Sequence, residues 1–205
     1  MLNSVTLLGE RVKLIPLEEL HTEGLYEAAK VSEIWSHLPS KIQSIEDIKQ
    51  LVKNALKSKE SGQELPFVVL DLETNLIVGS TRFLDISVQN KSLEIGWTWY
   101  NPSVWRTRVN TECKYLLLKH CFEELNFNRV QLKTDVRNQR SRTAILRLGA
   151  VQEGIIRKHT ILPDGFARDS MIFSIIKEEW PSIKERLEGF LISHQVKNAQ
   201  LASDL

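Results

Sequence analysis

The segment from Lys91 to Leu125 constrains the fold of this 205-residue chain most strongly, because it joins a strand to a helix through a short basic connection. The strand pattern is KSLEIGWTWY, the connection is NPSVWRTRVN, and the helix pattern is TECKYLLLKHCFEEL. The first backbone N–H groups of a helix have no partner within it, and the helix dipole makes that end positive. Since Arg106 and Arg108 lie at this end, the unit predicts a site for a bound anion, such as a phosphorylated ligand.

A second strand-to-helix joint repeats this arrangement. The strand QLKTDV leads into a helix start that carries Arg137, Arg140 and Arg142, and the helix is expected to run over residues 139–148 and to stop at Gly149. Two such joints indicate a cleft for an extended polyanion, although any one of the arginines is better explained as a solvated surface charge. Neither joint has a P-loop or a GxGxxG pattern, which argues against a nucleoside triphosphate or a dinucleotide.

Composition narrows the possible partners and locations. A chain of this length fits one domain that buries about 70% of its unfolded surface. The 27 Lys and Arg residues balance 26 Asp and Glu residues, for a net charge of +1, which argues against nucleic acid as the main partner. No apolar run approaches the roughly 18 residues of a membrane span, and the N-terminus lacks a signal-peptide pattern. We therefore expect a cytoplasmic protein without a membrane partner.

Cysteine and histidine spacing gives no catalytic or metal-binding pattern. Cys113 and Cys121 lie on one predicted helix, roughly 12 Å apart along its axis, which exceeds disulfide reach. Both fall on the apolar stripe and are expected to be buried structural thiols. The five histidines lack the spacing of a metal site, so we expect no metal.

The order of the predicted elements indicates a mixed sheet. An antiparallel meander leads into a strand-helix-strand crossover, which predicts an α/β (α+β) fold with helices on both faces of the sheet. The domain is expected to span residues 1–194, followed by a flexible tail over 195–205. Earlier predicted elements are a strand at 8–17, a helix after Glu18, a helix from a Ser44–Asp47 capping box to Gly62, and a hairpin that turns at 73–75. Later ones are strands at 92–100, 129–135, 150–161 and 166–175, a helix at 111–125 and a helix after Pro181.

The strand at 92–100 carries the first candidate for acid–base chemistry. Alternation places Leu93, Ile95, Trp97 and Trp99 on one face and Glu94, Gly96 and Thr98 on the other. Gly96 often marks a bulge or a close approach, and a bulge would free backbone groups to pair with an amide-bearing ligand. Glu94 could act as a base directly or through a water, or it could be an ordinary surface carboxylate.

The helix that follows Asn138 carries the second candidate. Ser141 shares a stripe with Ala144, Ile145 and Leu148, so its hydroxyl should face inward, where it could donate to a leaving group or bond its own preceding turn. Asn138 is a strong N-cap candidate, and capping alone would explain it.

These motifs together resemble the GNAT superfamily of acetyltransferases, and within it the ribosomal-protein N-terminal (alanine/serine) acetyltransferases. The resemblance spans nearly the whole chain and is most specific from LEIGWTWYNP to GIIRKH and in ILPDGFARDSMIFSI. It implies a splayed, mostly antiparallel sheet of six to seven strands. It also implies an acetyl-CoA-dependent N-acetyltransferase, in which a primary amine attacks the thioester directly while backbone donors hold the oxyanion, with no metal cofactor.

The resemblance also assigns roles to residues. Glu94 would be the base, and Ser141 would protonate the departing thiolate, because many relatives have a tyrosine acid where this chain has Ile145. Asn138 would contact acetyl-CoA. The remaining acetyl-CoA contacts would come from the bulged strand and from the loop that starts the following helix: Trp97, Thr98, Trp99, Trp105, Arg106, Thr107, Arg108, Val109, Asn110 and Thr111.

One departure from the family pattern opens an alternative. The family loop usually reads Gln/Arg-x-x-Gly-x-Gly/Ala, whereas Arg108 occupies the central glycine position here and Asn110 the small-residue position. A positive φ at that glycine would make the arginine costly. The alternative function is therefore a non-catalytic CoA-binding or interaction protein that keeps the fold.

The amine acceptor is not identified by the sequence. It could be a peptide N-terminus, a polyamine, an aminoglycoside or a small metabolite. Trp35, Trp99, Tyr100 and Arg168 could line its pocket or could serve packing. A homodimer is compatible with the resemblance, and nothing in the sequence requires it.

Overall fold

Eight strands form one mixed sheet in the protein, for which we obtained a computed structural model. The structure describes the backbone of residues 2–203 and the side chains of residues 2–193. The strands are β1 (Leu7–Leu8), β2 (Val12–Pro16), β3 (Leu65–Asp71), β4 (Leu76–Ser87), β5 (Ser92–Tyr100), β6 (Arg129–Asp135), β7 (Val151–Ile161) and β8 (Ala167–Ile176). Their order across the sheet is β1-β2-β3-β4-β5-β6-β8-β7, and only the β5–β6 pair is parallel.

Five α-helices and several shorter helical turns connect these strands. The helices are α1 (Thr22–Ala29), α2 (Ile45–Glu60), α3 (Val109–Lys119), α4 (Gln139–Leu148) and α5 (Trp180–Ser203). Single 3-10 turns lie at Glu19–His21, Ser32–Trp35, Pro102–Val104 and Lys177–Glu179, and a π-helical turn, His120–Glu124, extends α3. The predicted capping box of α2 is confirmed, since the Ser44 side chain accepts from Asp47 N and the Asp47 side chain accepts from Ser44 N.

The helices cover the sheet on both faces and create two hydrophobic cores. Residues of α3, α4 and α5 pack on one face around Phe67, Phe83 and Phe173. Residues of α1 and α2 pack on the other face, where Val68 and Trp99 are the buried sheet residues and Ile15 and Ile77 are partly buried. Phe67 and Val68 are neighbours on β3, and their side chains thus enter different cores on opposite faces of the sheet, as strand alternation requires.

The parallel pairing of β5 with β6 stops early, and this sets up the site. Ser92, Leu93 and Glu94 lie opposite Arg129, Val130 and Gln131, and no further pair joins these two strands in the described chain. Both strands nevertheless continue, β5 to Tyr100 and β6 to Asp135. The sheet therefore opens into a cleft between their carboxyl ends, where a ligand can enter.

Most predicted elements are confirmed, with two corrections. The predicted strand at 8–17 is two strands, because the chain turns where Gly9 N donates to Val12 O and Glu112 accepts from Glu10 N and Arg11 N. The sheet consequently has eight strands instead of six to seven. The predicted tail, residues 195–205, lies outside the residues whose side chains the structure describes, and it stays a prediction.

Candidate active site

A β-bulge on β5 lies at the mouth of the cleft. Gly96 pairs with Arg82 of β4 and Trp99 pairs with Ser80, so Trp97 and Thr98 together face the single residue Thr81. Trp97 has a φ of 49°, a left-handed conformation that is uncommon for a bulky residue. The bulge that Gly96 suggested is thus present, one residue beyond the glycine.

The bulge corrects the predicted faces of β5, because its extra residue shifts the alternation by one position. Thr98 does not share a face with Glu94, since its hydroxyl contacts Lys114 of α3. Trp99 does not join Leu93; its ring lies 5.3 Å from the ring of Trp35 in the α1–α2 core. The prediction of a single aromatic face on this strand was therefore wrong beyond Gly96.

Glu94 is buried at the point where β5 and β6 part, which rules out the surface-carboxylate explanation. Its Oε2 accepts from Gln131 Nε2 at 2.9 Å and lies 3.0 Å from Lys133 Nζ. A Cβ atom at position 96 would lie 2.9 Å from Glu94 Oε1, so Gly96 leaves the space that this oxygen uses. Among the described residues no donor bonds Oε1, which leaves its lone pairs available to accept a proton.

The loop before α3 offers free backbone donors, as the sequence predicts. From residue 106 to residue 111, within the described chain, only Thr107 N and Val109 N donate to an acceptor, Val104 O and Thr107 Oγ1 respectively. The N–H groups of Arg106, Arg108, Asn110 and Thr111 have no such bond. They lie at the positive end of a helix dipole, an arrangement that suits phosphate oxygens.

Arg108 does not have the strain that a glycine position suggested. Its φ is −71° and its ψ is −12°, ordinary helical values, and it is the N-cap of α3. The side chain is buried, with Nη2 2.7 Å from Glu10 Oε2 and Nε 3.4 Å from Glu112 Oε2. Since these carboxylates neutralise the guanidinium, we correct the expectation that the Arg108 charge attracts the anion; only its backbone N–H remains a candidate.

Arg106 has the positive φ in this loop, 62°, and its side chain is exposed. The other predicted arginines divide into two groups. Arg137 pairs with Asp135 at 2.6 Å, whereas Arg140 stacks 3.6 Å over the ring of Trp105 and Arg142 donates to Val136 O. Arg106, Arg140 and Arg142 make no carboxylate pair with any described residue, and they are the cations left for a polyanion.

The start of α4 is as the sequence predicts. Asn138 is the N-cap, and its Oδ1 accepts from Ser141 N at 3.0 Å. Ser141 is half-buried, and within the described chain its hydroxyl makes no hydrogen bond, so the explanation that it bonds its own preceding turn is wrong. Ile145 is buried in the core, which leaves the Ser141 hydroxyl as the free donor on this side of the helix.

The residues that the sequence suggested for an acceptor pocket are all buried. Trp35, Trp99 and Tyr100 are all buried, and Arg168 is buried with Nη1 2.9 Å from His37 O. The predicted structural thiols are likewise buried and free, and burial raises the pKa of the Cys113 thiol to about 12. Thr111 is also fully buried, with its hydroxyl bonded by Arg147 Nη2 at 2.6 Å.

Three contacts near the bulge and Glu94 were not predicted. Lys133 and Gln131 bind Glu94. The sequence could have indicated the Gln131 contact, because Glu94 and Gln131 are each the third residue of two neighbouring parallel strands. The third is Lys114, which is buried in α3 and donates to Thr98 Oγ1 at 2.7 Å. Its signal was its helical spacing, because Lys114 lies three and four positions before Leu117 and Leu118 and so shares their buried stripe.

Comparison with known proteins identifies this arrangement. The sequence pattern of the acetyltransferase (GNAT) domain matches residues 11–151, which include β5, its bulge, the α3 loop, β6 and α4. This protein belongs to the GNAT acetyltransferase family. It is thus an acetyltransferase, of a family that uses acetyl-CoA as the acetyl donor.

The similarity of this GNAT acetyltransferase to its relatives extends over most of the length of each relative. It is 23% identical to the ribosomal-protein-serine acetyltransferase of Escherichia coli (strain K12) over 175 residues, covering 83% of this chain and 96% of that protein. A GCN5-related N-acetyltransferase from Brucella melitensis is 27% identical, with a TM-score of 0.86 over 92% of this chain and 86% of that one. Mycobacterium smegmatis RimJ, solved in complex with CoA-disulfide, shares the fold at 20% identity, with a TM-score of 0.78 over 91% of this chain and 94% of that one.

The described part of this GNAT acetyltransferase has neither a metal-binding cluster nor a helix that could span a membrane. No group of three or more His, Cys, Asp and Glu side chains in the described chain could hold a metal ion. None of the helices over the same residues combines the length and apolar character needed to cross a bilayer.

Proposed function

We propose that this GNAT acetyltransferase transfers the acetyl group of acetyl-CoA directly to a primary amine, either a peptide N-terminus or a small-molecule amine. The observation that carries the proposal is the cleft that opens after the Glu94–Gln131 pair, bordered by the β5 bulge and by the donor-rich loop of α3. The residues present fit acetyl-CoA, since a polyanion and an extended amide chain need these two kinds of partner. When bound, acetyl-CoA supplies the activated thioester.

Phosphate binding in this proposal falls to the α3 loop. The free N–H groups of Arg106, Arg108 and Asn110 would hold the diphosphate, and the exposed Arg106 side chain would add charge, whereas Thr111 is fully buried and would contribute no direct contact. Trp105 and Arg140 stack on each other at 3.6 Å and so connect the starts of α3 and α4 on this side of the cleft. Asn138, at the start of α4, would contact the pantetheine arm.

The bulge and Glu94 would act on the reacting groups. Backbone groups of Trp97 to Trp99, which have no partner on β6 and of which only Trp99 has a regular partner on β4, would bind the pantetheine amides and polarise the thioester carbonyl. Glu94 Oε1, which no described donor occupies, would take a proton from the attacking amine directly or through a water, since amines are mostly protonated near pH 7. The Ser141 hydroxyl would protonate the leaving thiolate.

Holding both reactants side by side would supply a further share of the acceleration. The chemistry needs no enzyme nucleophile, and the raised pKa of the buried Cys113 thiol agrees with a direct transfer.

The test is release of free thiol from acetyl-CoA across a panel of amines: peptides that begin with serine or alanine, polyamines, aminoglycosides and amino acids. We expect thiol release to depend on both substrates and the product to be the N-acetyl amine by mass spectrometry. Calorimetric titration with CoA and acetyl-CoA measures binding separately. If acetyl-CoA raises the melting temperature while no amine yields thiol, the protein binds CoA without catalysis and the proposal is wrong.

A further inference from the structure

Lys114 is a buried cation without a carboxylate partner. Only 5% of its surface is exposed, and its Nζ donates to Thr98 Oγ1 at 2.7 Å. Within the described chain no Asp or Glu oxygen lies within salt-bridge distance of this ammonium group. The neighbouring Arg108 and the cleft lysine Lys133, in contrast, both have carboxylate partners.

This arrangement is costly for folding. Taking an ammonium group out of water without an opposite charge is unfavourable, and burial lowers the pKa of Lys114 to about 8. An apolar residue of similar length would fill the same space without that penalty. A lysine at this position therefore needs a reason other than the stability of α3.

The partner of Lys114 lies in the bulge itself. Thr98 is the second of the two residues that face Thr81, and the hydroxyls of Thr81 and Thr98 lie 2.8 Å apart. A chain of contacts thus runs from α3 through the bulge to β4. Because the Lys114 ammonium group can only donate, it bonds a lone pair of Thr98 Oγ1 and so restrains the rotamer of Thr98.

The bulge is also held on its other face. The guanidinium of Arg82 lies 4.8 Å from the centre of the Trp97 ring, and Arg82 Nη1 is 2.8 Å from Glu64 Oε2. Trp97 has a left-handed φ, a conformation that persists only where surrounding contacts impose it. The two residues of the bulge are therefore restrained from opposite sides of the sheet, Trp97 by Arg82 and Thr98 by Lys114.

We propose that Lys114 is a positioning residue for acetyl transfer, which acts through Thr98 to hold the β5 bulge in the geometry that binds and polarises the thioester carbonyl. This inference rests on the proposed function. It predicts that Lys114 raises kcat and the polarisation of the bound thioester carbonyl. It also predicts that Lys114 contributes little or nothing to the stability of the fold.

The experiment compares Lys114→Met, Thr98→Val, the double variant, Thr98→Ser and the control Lys119→Met, which removes a lysine from the same helix. The first readout is the carbonyl signal of acetyl-CoA labelled with carbon-13 at the carbonyl, measured by NMR on the bound complex, which needs no acceptor. The second is kcat with the best amine of the panel. The third is the melting temperature without ligand.

We expect Lys114→Met to move the bound carbonyl signal towards that of free acetyl-CoA and to lower kcat about tenfold, with a KM for acetyl-CoA within about threefold of the unmodified protein. Its melting temperature should be unchanged or higher. Thr98→Val should match it, and the double variant should be no slower than either single one. Thr98→Ser keeps the hydroxyl and should lose less activity than Thr98→Val, whereas Lys119→Met should behave like the unmodified protein.

Other results overturn the inference in distinguishable ways. An unchanged carbonyl signal and kcat in Lys114→Met would show that the lysine is only a packing residue. Losses that multiply in the double variant would show that it does not act through Thr98. If Lys114→Met does not fold, the lysine is structural and the inference is wrong. Absence of acetyl-CoA binding by the unmodified protein would instead refute the proposed function, and the inference with it.

Discussion

The Nη2 atom of Arg108 lies 2.7 Å from Oε2 of Glu10, a residue almost a hundred positions earlier in the chain. This contact joins the start of α3 to the turn between β1 and β2. Glu112, one helical turn after Arg108, strengthens the junction, because its buried carboxylate also accepts from Glu10 N and Arg11 N. Arg108 thus has a structural role that leaves the loop donors free.

Replacing Arg108 with glycine should separate stability from ligand binding. The change leaves the buried Glu112 carboxylate without its cation, so the free energy of unfolding should fall by about 3 kcal/mol. Affinity for acetyl-CoA should be preserved or improved, because the guanidinium does not face the ligand. Urea denaturation and calorimetric titration measure the two quantities.

Arg106→Gly is the matched control for this prediction. It removes an exposed charge and a left-handed φ of 62°, so stability should be unchanged or higher while acetyl-CoA binds several-fold more weakly. A large loss of affinity in Arg108→Gly would show that its guanidinium does bind phosphate.

Ser141 and Asn138 should also differ in what they contribute. Ser141→Ala removes a hydroxyl without a described partner, so we expect an unchanged melting temperature and a kcat about tenfold lower. Asn138→Ala removes the cap of α4 and should cost about 1 kcal/mol of stability. Thermal unfolding and steady-state rates check both variants, and a stability loss in Ser141→Ala equal to that of Asn138→Ala would contradict the assignment.

Local patterns were sufficient to predict the elements around the site. The observed bounds of β5, β6 and α4 coincide with the predicted ones, because each has a clear period and a clear stop, such as the left-handed Gly149 after α4. The side-chain directions beyond Gly96 could not be predicted. A bulge depends on how β4 pairs with β5, and that register is not encoded in the alternation of β5 alone.

Contacts between distant segments of the chain also could not be predicted from the sequence. The direction of Arg108 depends on Glu10, and the role of Gly96 depends on where the Glu94 carboxylate points. The burial of Lys114 could be suspected from its spacing to Leu117 and Leu118, but its partner Thr98 could be found only once α3 was packed on the bulge.

The lowered pKa of Lys114 should appear in the pH dependence of stability. Burial lowers this pKa from 10.5 to about 8, so between these values the unfolded chain binds a proton that the folded protein does not. The free energy of unfolding should then rise with pH through this window, by up to about 1.4 kcal/mol per pH unit. The nearest titratable groups, Cys113 and through it Tyr100, have raised pKa values and act in the opposite direction.

The difference between the unmodified protein and Lys114→Met isolates the lysine from these neighbours. Urea denaturation at several pH values between 8 and 10.5 measures it. If the two proteins lose or gain stability in parallel across this range, Lys114 titrates like an exposed lysine, and its burial is less complete than the structure indicates.

Glu94→Gln tests the proposed base most directly. Glutamine has nearly the same shape, so acetyl-CoA affinity should not change, but it cannot accept the amine proton, and kcat should fall about a hundredfold near neutral pH. The loss should shrink as pH rises towards the pKa of the amine, because the acceptor then loses its proton without help. A pH–rate profile of both proteins with one amine measures this. Glu46→Gln is the control, because Glu46 is exposed in the first turn of α2 and pairs only with the exposed Lys49 among the described residues. Equal profiles for the unmodified protein and Glu94→Gln would show that the buried carboxylate only holds Lys133 and Gln131 in place.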